Sequence, residues 1–310
     1  MKFYIVDAFT QQVFGGNTAG VVILSKNEGY PPDDVMRKIA AELRYSETVF
    51  VQDKGNGKFN LRYFTPVKEV DLCGHATIGA FCSMREEGIL TDNGKYTAQT
   101  PAGDLAVSLE NGQVMMDMAA PKFIDVIRNP NEIKEIYETV GLCHGASGIS
   151  LEGEWDLYPE IISTGLPDII LPIENVEALD KIEPNFPALE KLSAKYEVIG
   201  IHAFALGEGL VGNICCDETC DLLQVTAYCR NFAPSVGINE EAATGTANGA
   251  LTYYLYKNAL IDAGTKCNFV QGESMDRPSM IFSDINYIDG NTIIRIGGFG
   301  KVLAKGELLV

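Results

Sequence analysis

One five-residue pattern occurs twice in the chain. Residues 62–66 read Arg-Tyr-Phe-Thr-Pro, and residues 230–234 read Arg-Asn-Phe-Ala-Pro. A short acidic stretch follows each copy and leads to a small residue, a glycine and an apolar segment, at 73–74 and at 244–245. The copies lie about 170 residues apart, so they indicate two similar halves and not a solenoid, whose repeats recur every ~20–50 residues. Two such helix N-termini on facing halves would aim backbone N–H groups at one shared cleft.

The segments after the two glycines predict central helices over 75–87 and 246–257. Both are small and apolar nearly all round, and a helix with that pattern is buried on most faces. We place the boundary after the strand at 113–118, which gives halves 1–118 and 119–310, with the last strand able to pack on the first half. The regular strand–helix alternation of a parallel sheet is missing. We therefore predict an α+β fold of two pseudo-symmetric domains, each a curled, mostly antiparallel sheet or barrel around its central helix.

The remaining elements follow from periodicity and turn signals. An amphipathic helix is predicted over 33–44, with Asp33 and Asp34 in its first turn, and a polar helix over 121–140. Asn111-Gly112 predicts a hairpin turn. Strands are predicted at 3–9, 20–24, 48–52, 58–64, 104–109 and 113–118.

The composition is that of an ordinary soluble globular protein, with 46% hydrophobic and 21% charged residues. The formal net charge of −18 argues against a nucleic-acid or anionic-membrane surface. No window reaches the roughly 18 apolar residues of a membrane span, and the opening apolar run is too short for a signal peptide. We expect a cytoplasmic protein without nucleic-acid or membrane partners.

The eight cysteines contain no C-x-x-C spacing. In a cytosolic protein most are expected to be reduced core residues. The cluster of Cys215, Cys216 and Cys220 has no histidine nearer in sequence than His202, so no metal site is predicted there. His144 and His202 are interpreted as structural. The absence of phosphate-binding glycine motifs means that no nucleotide cofactor is indicated.

Glu47 stands directly before the apolar strand segment at 48–51. Two interpretations are open. The carboxylate is a solvent-facing strand end or is held by neighbouring hydroxyls. Alternatively, it is partly desolvated, which would raise its pKa and suit it to take a proton from carbon and return it. Spacing alone does not decide between them.

Cys73-Gly74-His75 opens the first central helix. One interpretation is a helix start with a buried cysteine and a histidine bonded to backbone. The other is a site where the helix N-terminus binds a substrate carboxylate. There His75 would act as neutral donor or proton relay, and Cys73 would be available as a thiolate base.

The matching loop of the second half, 240–246, is interpreted either as an acidic helix start or as a binding loop. In the second case Glu241 holds a substrate amine and Thr246 binds a carboxylate, beside Thr244 and Gly245. Two-base racemases need a thiol on each side, and Thr244 stands where the second thiol would be, which argues against two-thiol racemisation. Asn17, after two glycines, is a candidate amide for the cleft or an ordinary turn residue.

Taken together, these segments resemble the PhzF family of phenazine-biosynthesis-like isomerases, within the diaminopimelate-epimerase-like superfamily. The resemblance runs over essentially the whole chain. The segments that carry it are Val6-Asp7-Ala8-Phe9, Gly15-Gly16-Asn17, Ser46-Glu47-Thr48-Val49-Phe50, Arg62-Tyr63-Phe64-Thr65-Pro66, Leu72-Cys73-Gly74-His75-Ala76-Thr77, Ser163-Thr164-Gly165-Leu166-Pro167, Arg230-Asn231-Phe232-Ala233-Pro234, Ala243-Thr244-Gly245-Thr246-Ala247, Gln271-Gly272 and Arg277-Pro278-Ser279.

The resemblance implies an active site between the two domains, no cofactor or metal, and a homodimer. The family glutamate falls on Glu47, as acid/base, and the family histidine on His75. The family's E-D-P-A-T-G-S loop falls on 240–246, where the aspartate is Glu241, the proline is alanine and the serine is Thr246. The family's G-N-P also ends in Thr18 here.

The leading expectation is a cofactor-independent isomerase that moves a proton on a small carboxylate-bearing metabolite. Its expected catalytic residues are Glu47, His75 and Glu241. The expected substrate-binding residues are Asn17, Cys73, Gly74, Thr244, Gly245 and Thr246. Two alternatives stay open: a one-thiol, racemase-related dehydratase using Cys73, and a catalytically silent protein that binds a metabolite or partner.

Overall fold

The computed structural model describes residues 1–25, 28–142, 150–151, 155–207 and 224–310. The strands are β1 (Lys2–Ala8), β2 (Asn17–Ile23), β3 (Thr48–Gly55), β4 (Lys58–Phe64), β5 (Glu69–Val70), β6 (Gly94–Thr100), β7 (Gly103–Glu110), β8 (Gln113–Asp117), β9 (Lys122–Val126), β10 (Ser150–Leu151), β11 (Trp155–Asp156), β12 (Glu160–Ser163), β13 (Pro167–Ile173), β14 (Gly200–Leu206), β15 (Ala227–Ala233), β16 (Ile238–Glu241), β17 (Lys266–Gln271), β18 (Ser279–Ile288), β19 (Asn291–Gly298) and β20 (Gly300–Glu307). The α-helices are α1 (Asp33–Leu43), α2 (Gly74–Glu86), α3 (Pro130–Thr139), α4 (Val176–Asp180), α5 (Phe186–Tyr196) and α6 (Gly245–Lys257).

The chain divides into two compact units. The first unit comprises Met1–Asp117, Arg277–Ser279 and Gly297–Val310. The second comprises Met118–Asp276 and Met280–Ile296. Each unit contains one of the two glycine-led helices, α2 in the first and α6 in the second.

The sheet of the first unit curls around α2. Its strands pair in the order β20, β1, β2, β3, β4, β6, β7 and β8, with the short β5 also beside β4. The pairs β2–β3 and β4–β6 are parallel, and the others are antiparallel. Helix α2 packs against strands at both ends of this run, β20 and β8, as well as against β1, β2 and β3. A sheet that reaches one helix from both of its ends wraps around it.

The second unit repeats the pairing pattern. Strand β12 pairs antiparallel with β13, β13 parallel with β14, and β14 antiparallel with β15. Strand β15 then pairs antiparallel with β16 and parallel with β17. The first unit shows the same succession from β1 to β6. Helix α6 packs on β12, β13 and β14. The predicted α+β fold of two similar halves, each a mostly antiparallel sheet around a central helix, is confirmed.

The character of the central helices explains their position. Every residue of α2 from His75 to Met84 is buried, and nine of the thirteen residues of α6 are buried as well. By contrast, α1 buries only Met36, Ile39 and Ala40. These residues form a smaller core with the outer face of the sheet, next to Phe50. An amphipathic helix covers a sheet from outside, whereas a helix that is apolar all round is stable only when it is enclosed.

The predicted helix over 121–140 is wrong in its first half. Residues 122–126 form β9, which pairs antiparallel with β12. The helix begins only at Pro130, where Asn129 acts as N-cap and its side chain accepts a hydrogen bond from the N–H of Asn131. Proline at the first helical position and asparagine at the cap mark a helix start. This local signal outweighs the helix-forming composition of the residues before it.

The Asn111-Gly112 turn is present as predicted. Both residues have positive φ, 52° and 84°, and Glu110 pairs with Gln113 across the turn. Such a turn suits the twist of the flanking strands. Among the helices of the described residues, none combines the length and apolarity needed to cross a membrane.

Candidate active site

Both central helices begin without a side-chain cap. Cys73 precedes α2 and Thr244 precedes α6, each with an extended backbone and no capping hydrogen bond from its side chain. Three outer helices, α3, α4 and α5, are each capped by an asparagine side chain. A helix N-terminus whose N-cap side chain does not serve the first-turn N–H groups is suited to bind an anionic group.

His75, in the first turn of α2, is the centre of a polar cluster in the first unit. Its Nε2 lies 3.4 Å from Oε2 of Glu47 and 3.3 Å from Oγ of Ser46. Its Nδ1 lies 3.3 Å from Nδ2 of Asn17. The imidazole is 4% exposed, whereas the Glu47 side chain is 15% exposed. The ring is therefore enclosed, and the carboxylate beside it keeps access to a ligand.

The contact with Asn17 favours one tautomer of His75. The amide nitrogen of Asn17 is a donor only, so Nδ1 accepts, and in the neutral ring the proton then resides on Nε2. In that tautomer the Nε2–H lies on the side of the ring next to Glu47 and Ser46. A neutral imidazole held in this way donates to a carboxylate without adding a net positive charge.

The strand order brings these residues together. Strands β2 and β3 are parallel neighbours, so the start of β2, at Asn17, and the residues before β3, Ser46 and Glu47, lie at the same edge of the sheet. The N–H of Gly20 donates to the carbonyl of Glu47 at 3.1 Å. The helix starting at Gly74 opens at this edge, which places His75 between the two strand ends.

The Cys73 thiol completes the cluster. Its Sγ lies 3.4 Å from Nδ1 and 3.8 Å from Nε2 of His75, and the residue is 7% exposed. One donor atom each of Glu47, Cys73 and His75 lies within 4.8 Å of the others. Carboxylate, thiolate and imidazole are ligand types that Zn²⁺ accepts, so this is the group of described residues best suited to hold a metal ion.

The loop before α6 is a hydrogen-bonded unit of the second unit. The hydroxyl of Thr244 donates to Oε2 of Glu241 at 2.6 Å. Gln271 joins both residues, because its amide donates to the carbonyl of Glu241 at 2.7 Å and to Oγ of Thr244 at 3.2 Å. Its Oε1 in turn accepts from Asn248 at 2.8 Å. The Glu241 carboxylate is thus held at the helix start by Thr244, and Gln271, which was not among the predicted site residues, supports both residues.

The duplicated Arg-x-Phe-x-Pro pattern has the same structural role in both units. Arg62 donates through Nε and Nη2 to the two carboxylate oxygens of Glu69, at 2.7 and 2.6 Å. Arg230 donates in the same way to Glu240, at 2.9 and 3.0 Å. Each guanidinium also lies over the phenylalanine two residues later, at 5.2 and 5.1 Å from the ring centroid. The repeat therefore ties its strand to the acidic stretch that leads into the central helix. Glu240 serves this ion pair.

The predicted site residues fall into two groups. The first unit holds Asn17, Glu47, Cys73, Gly74 and His75, and the structure brings them together. The second unit holds Glu241, Thr244, Gly245 and Thr246. In this group the Thr244 hydroxyl donates to the Glu241 carboxylate.

Ser46 was not among the predicted site residues. The available signal was its position next to Glu47, because residues before a strand share an edge with the neighbouring parallel strand.

The interpretation of His202 as structural fits its burial. It is fully buried, and burial lowers its pKa to about 4. Its Nδ1 lies 3.1 Å from Oδ1 of Asn231. Cys82, Cys229 and Cys267 are buried free thiols, as expected of reduced core cysteines. Predictions for His144 and for Cys143, Cys215, Cys216 and Cys220 concern positions outside the described residues.

Comparisons with known proteins give the family of the chain. A family model described as phenazine biosynthesis-like protein (PhzC-PhzF) matches residues 6–306. An uncharacterized isomerase of Clostridium acetobutylicum is 32% identical, over 100% of this chain and 98% of its own. The trans-2,3-dihydro-3-hydroxyanthranilate isomerase of Pseudomonas fluorescens is 27% identical, over 100% and 99%. The crystal structure of a PhzF-family phenazine biosynthesis protein of Bacillus anthracis is 26% identical, with a TM-score of 0.81 over 100% and 99% of the two chains.

Proposed function

Because this chain belongs to the phenazine biosynthesis-like (PhzC-PhzF) family of isomerases, we propose that it moves a proton between two carbon atoms of a small carboxylate-bearing metabolite, with Glu47 as the acid/base. The observation that carries this proposal is the 3.4 Å approach of Glu47 Oε2 to Nε2 of His75. A carboxylate at the edge of an enclosed cluster is suited to accept a proton from carbon and return it.

The proposed reaction is balanced without an oxidant or a second substrate. Glu47 accepts a proton from one carbon of the substrate, and the electron pair of that C–H bond is delocalised into the adjacent π system. The protonated Glu47 then returns the proton to a second carbon of the same π system. The Nε2–H of His75 donates to the carboxylate when it is charged, and the hydroxyl of Ser46 lies 3.3 Å from the same nitrogen. The product is an isomer of the substrate.

For the second unit we propose a binding role at the start of α6. The first-turn N–H groups after Thr244 suit a carboxylate, and Glu241, held by Thr244 and Gln271, suits an amine or hydroxyl of the substrate. The Pseudomonas fluorescens relative is named for trans-2,3-dihydro-3-hydroxyanthranilate. The family loop described above has aspartate where this chain has Glu241. A shift of about 1 Å in a positioned group costs roughly a hundredfold in rate, so we propose a different substrate for this protein.

The test is deuterium incorporation from D₂O across a panel of amino acids and cyclic amino and hydroxy acids that includes trans-2,3-dihydro-3-hydroxyanthranilate. With a responding compound, Glu47→Gln is expected to lose at least about a hundredfold in exchange rate. The exposed Glu42 provides the control, and Glu42→Gln is expected to exchange at the wild-type rate. Full exchange by Glu47→Gln would contradict the proposal.

A second candidate rests on the thiol. Cys73 Sγ lies 3.4 Å from Nδ1 of His75, which is the spacing of a thiol that an imidazole can deprotonate. In this alternative the Cys73 thiolate removes an α-proton, the electron pair of that C–H bond forms a double bond, and a β-hydroxyl leaves as water after it is protonated by the imidazolium of His75. Cys73→Ala would then abolish exchange while Glu47→Gln retained it, and water elimination would accompany exchange. The same two variants therefore separate both candidates.

A further inference from the structure

The loop between β1 and β2, residues 9–16, leads directly into Asn17 and contains residues in an unfavourable backbone conformation. Phe9 and Phe14 have φ of 63° and 69°, and Gly16 has φ of 64°. Side chains with a Cβ rarely adopt these angles, and such residues persist only where the surrounding structure holds them. Phe14 is 67% exposed, so core packing does not hold it. Its N–H instead donates to Oδ2 of the buried Asp7 at 2.9 Å.

The guanidinium of Arg277 forms several hydrogen bonds to this loop. Nη2 of Arg277 donates to Oδ1 of Asp7 at 2.8 Å, to the carbonyl of Gly15 at 2.7 Å and to Oγ of Thr18 at 2.7 Å. Its Nε donates to the carbonyl of Gly16 at 2.8 Å. The hydroxyl of Thr18 donates to the same Asp7 oxygen at 2.6 Å.

The segment that carries Arg277 adds a backbone contact. The N–H of Gly16 donates to the carbonyl of Pro278 at 3.1 Å. Two acceptors of Arg277, Gly16 and Thr18, lie immediately before and immediately after Asn17, whose amide lies 3.3 Å from Nδ1 of His75. The side chain of Asn17 therefore starts from a backbone fixed on both flanks.

We propose that Arg277 is a positioning residue of the active site. Its hydrogen bonds to Gly15, Gly16 and Thr18 fix this loop relative to Asp7 and place the Asn17 amide against Nδ1 of His75. This contact determines which tautomer of His75 lies next to Glu47. This inference rests on the proposed function in that the tautomer serves proton transfer at Glu47. It also explains Thr18, where the family pattern has proline. The threonine hydroxyl is hydrogen-bonded to both Arg277 and Asp7, and proline has neither a hydroxyl nor an N–H.

Lysine cannot replace Arg277 in this role. A guanidinium presents several N–H groups in a rigid planar fork, whereas an ammonium is a compact charge on a flexible stem. Arg295 offers a matched control. It forms a bidentate pair with Asp284, and its side chain is 31% exposed like that of Arg277. Arg295 and Asp284 both belong to the second unit, whereas Asn17 and His75 belong to the first.

The test reads the ring nitrogens of His75 directly by ¹⁵N-detected NMR at neutral pH. The protein has three histidines, and a His75→Asn variant assigns the signal. In the wild type we expect the neutral form of the ring to carry its proton on Nε2. Arg277→Ala and Arg277→Lys are expected to shift both ring signals towards a mixture of tautomers, and Arg295→Ala is expected to leave them unchanged. With a responding substrate, Arg277→Ala should lower kcat about tenfold to a hundredfold with a much smaller change in KM.

Thr18→Val provides a second variant if Arg277→Ala does not fold. It removes only the hydroxyl and is expected to shift the His75 signals in the same direction, whereas Thr139→Val, which removes a hydroxyl bonded within α3, is expected to have no effect. Unchanged His75 signals in a folded Arg277→Ala, or in Thr18→Val, would overturn the inference. This outcome is separate from failure of the proposed function, which is decided by exchange in Glu47→Gln.

Discussion

Gly200 occupies in the second unit the position that Glu47 holds in the first. Glu47 directly precedes Thr48, which pairs with Phe64 of the repeated pattern. Gly200 directly precedes Ile201, which pairs with Phe232, the corresponding phenylalanine of the second unit. A Cβ on Gly200 would lie 1.9 Å from the carbonyl oxygen of Phe232. The second unit therefore has no space for a carboxylate at this position. The duplication repeats the architecture, and the proposed acid/base exists in one copy only.

The close approach at Gly200 predicts a large effect of the smallest side chain. Gly200→Ala is expected to lower the free energy of unfolding by about 3 kcal/mol or more, because backbone atoms of β15 would have to move. Urea denaturation followed by circular dichroism measures the change. Gly29→Ala is the control, since a Cβ there meets no atom within 4 Å. Equal stability of the two variants would show that β14 and β15 do not pair as closely as described.

The duplicated arginines are expected to differ in their contributions to stability. Arg230 is 10% exposed, and its Nη1 also donates to the carbonyls of Leu179 and Ile182, at 3.2 and 2.9 Å. Arg230→Ala removes the charged donor of a largely buried carboxylate and one donor from each of two carbonyls, and we expect it to cost about 3–5 kcal/mol. Arg62 is 22% exposed, and Arg62→Ala is expected to cost less.

Chemical denaturation of the two arginine variants tests this order. Lys38→Ala is the control, because Lys38 and Asp34 form an exposed pair on α1, and a change below about 1 kcal/mol is expected there. If Arg62→Ala were the more destabilising of the two arginine variants, burial would not be what sets their contributions.

Asp168 predicts a loss of stability between acid and neutral pH. Burial raises the pKa of this carboxyl from 3.8 to about 7, and its Oδ1 has no hydrogen-bond partner among the described residues. Between these two pKa values the folded protein holds a proton that the unfolded chain has released. The free energy of unfolding therefore falls as the pH rises from about 4 to about 7, by about 4 kcal/mol from this group.

Urea denaturation at pH 5 and pH 8 tests this prediction. Asp168→Asn cannot ionise, so this variant should lose less unfolding free energy than the wild type between pH 5 and pH 8. Asp262→Asn, at an exposed position, should keep the wild-type difference. An Asp168→Asn variant with the wild-type pH dependence would mean that Asp168 is already ionised in the folded protein at pH 5.

Glu241 predicts a specific sensitivity to side-chain length. Its Oε2 accepts from Thr244 at 2.6 Å, and Glu241→Asp would withdraw the carboxylate by about one methylene. We expect kcat/KM for a responding substrate to fall roughly a hundredfold with little change in stability. The exposed Glu42, as Glu42→Asp, is the control. Efficient isomerisation of trans-2,3-dihydro-3-hydroxyanthranilate by the wild type, and its loss in Glu241→Asp, would instead assign this substrate to the enzyme and contradict our proposal of a different one.

Some elements could be predicted from the sequence because a local signal carried them. The all-round apolar pattern of α2 and α6 identified them as enclosed helices, and Asn111-Gly112 identified its hairpin. Strand β6 was not predicted. Only Ala98 in it is buried, so it lacks the apolar alternation that marks a strand. Its pairing with β4 and β7 holds it in place, and pairing partners distant in the chain leave no local trace.

The sequence by itself determined the duplication, the two glycine-led helix starts and the identity of the residues at them, because each of these depends on residues close together in the chain. The tertiary structure alone decided which distant residues act on one another. Parallel pairing of β2 and β3 places Asn17 and Ser46 at His75. The segment 277–279 brings Arg277 to the residues that flank Asn17, across about 260 residues of chain. Such contacts depend on strand order and on the return of the chain, which no residue pattern encodes locally.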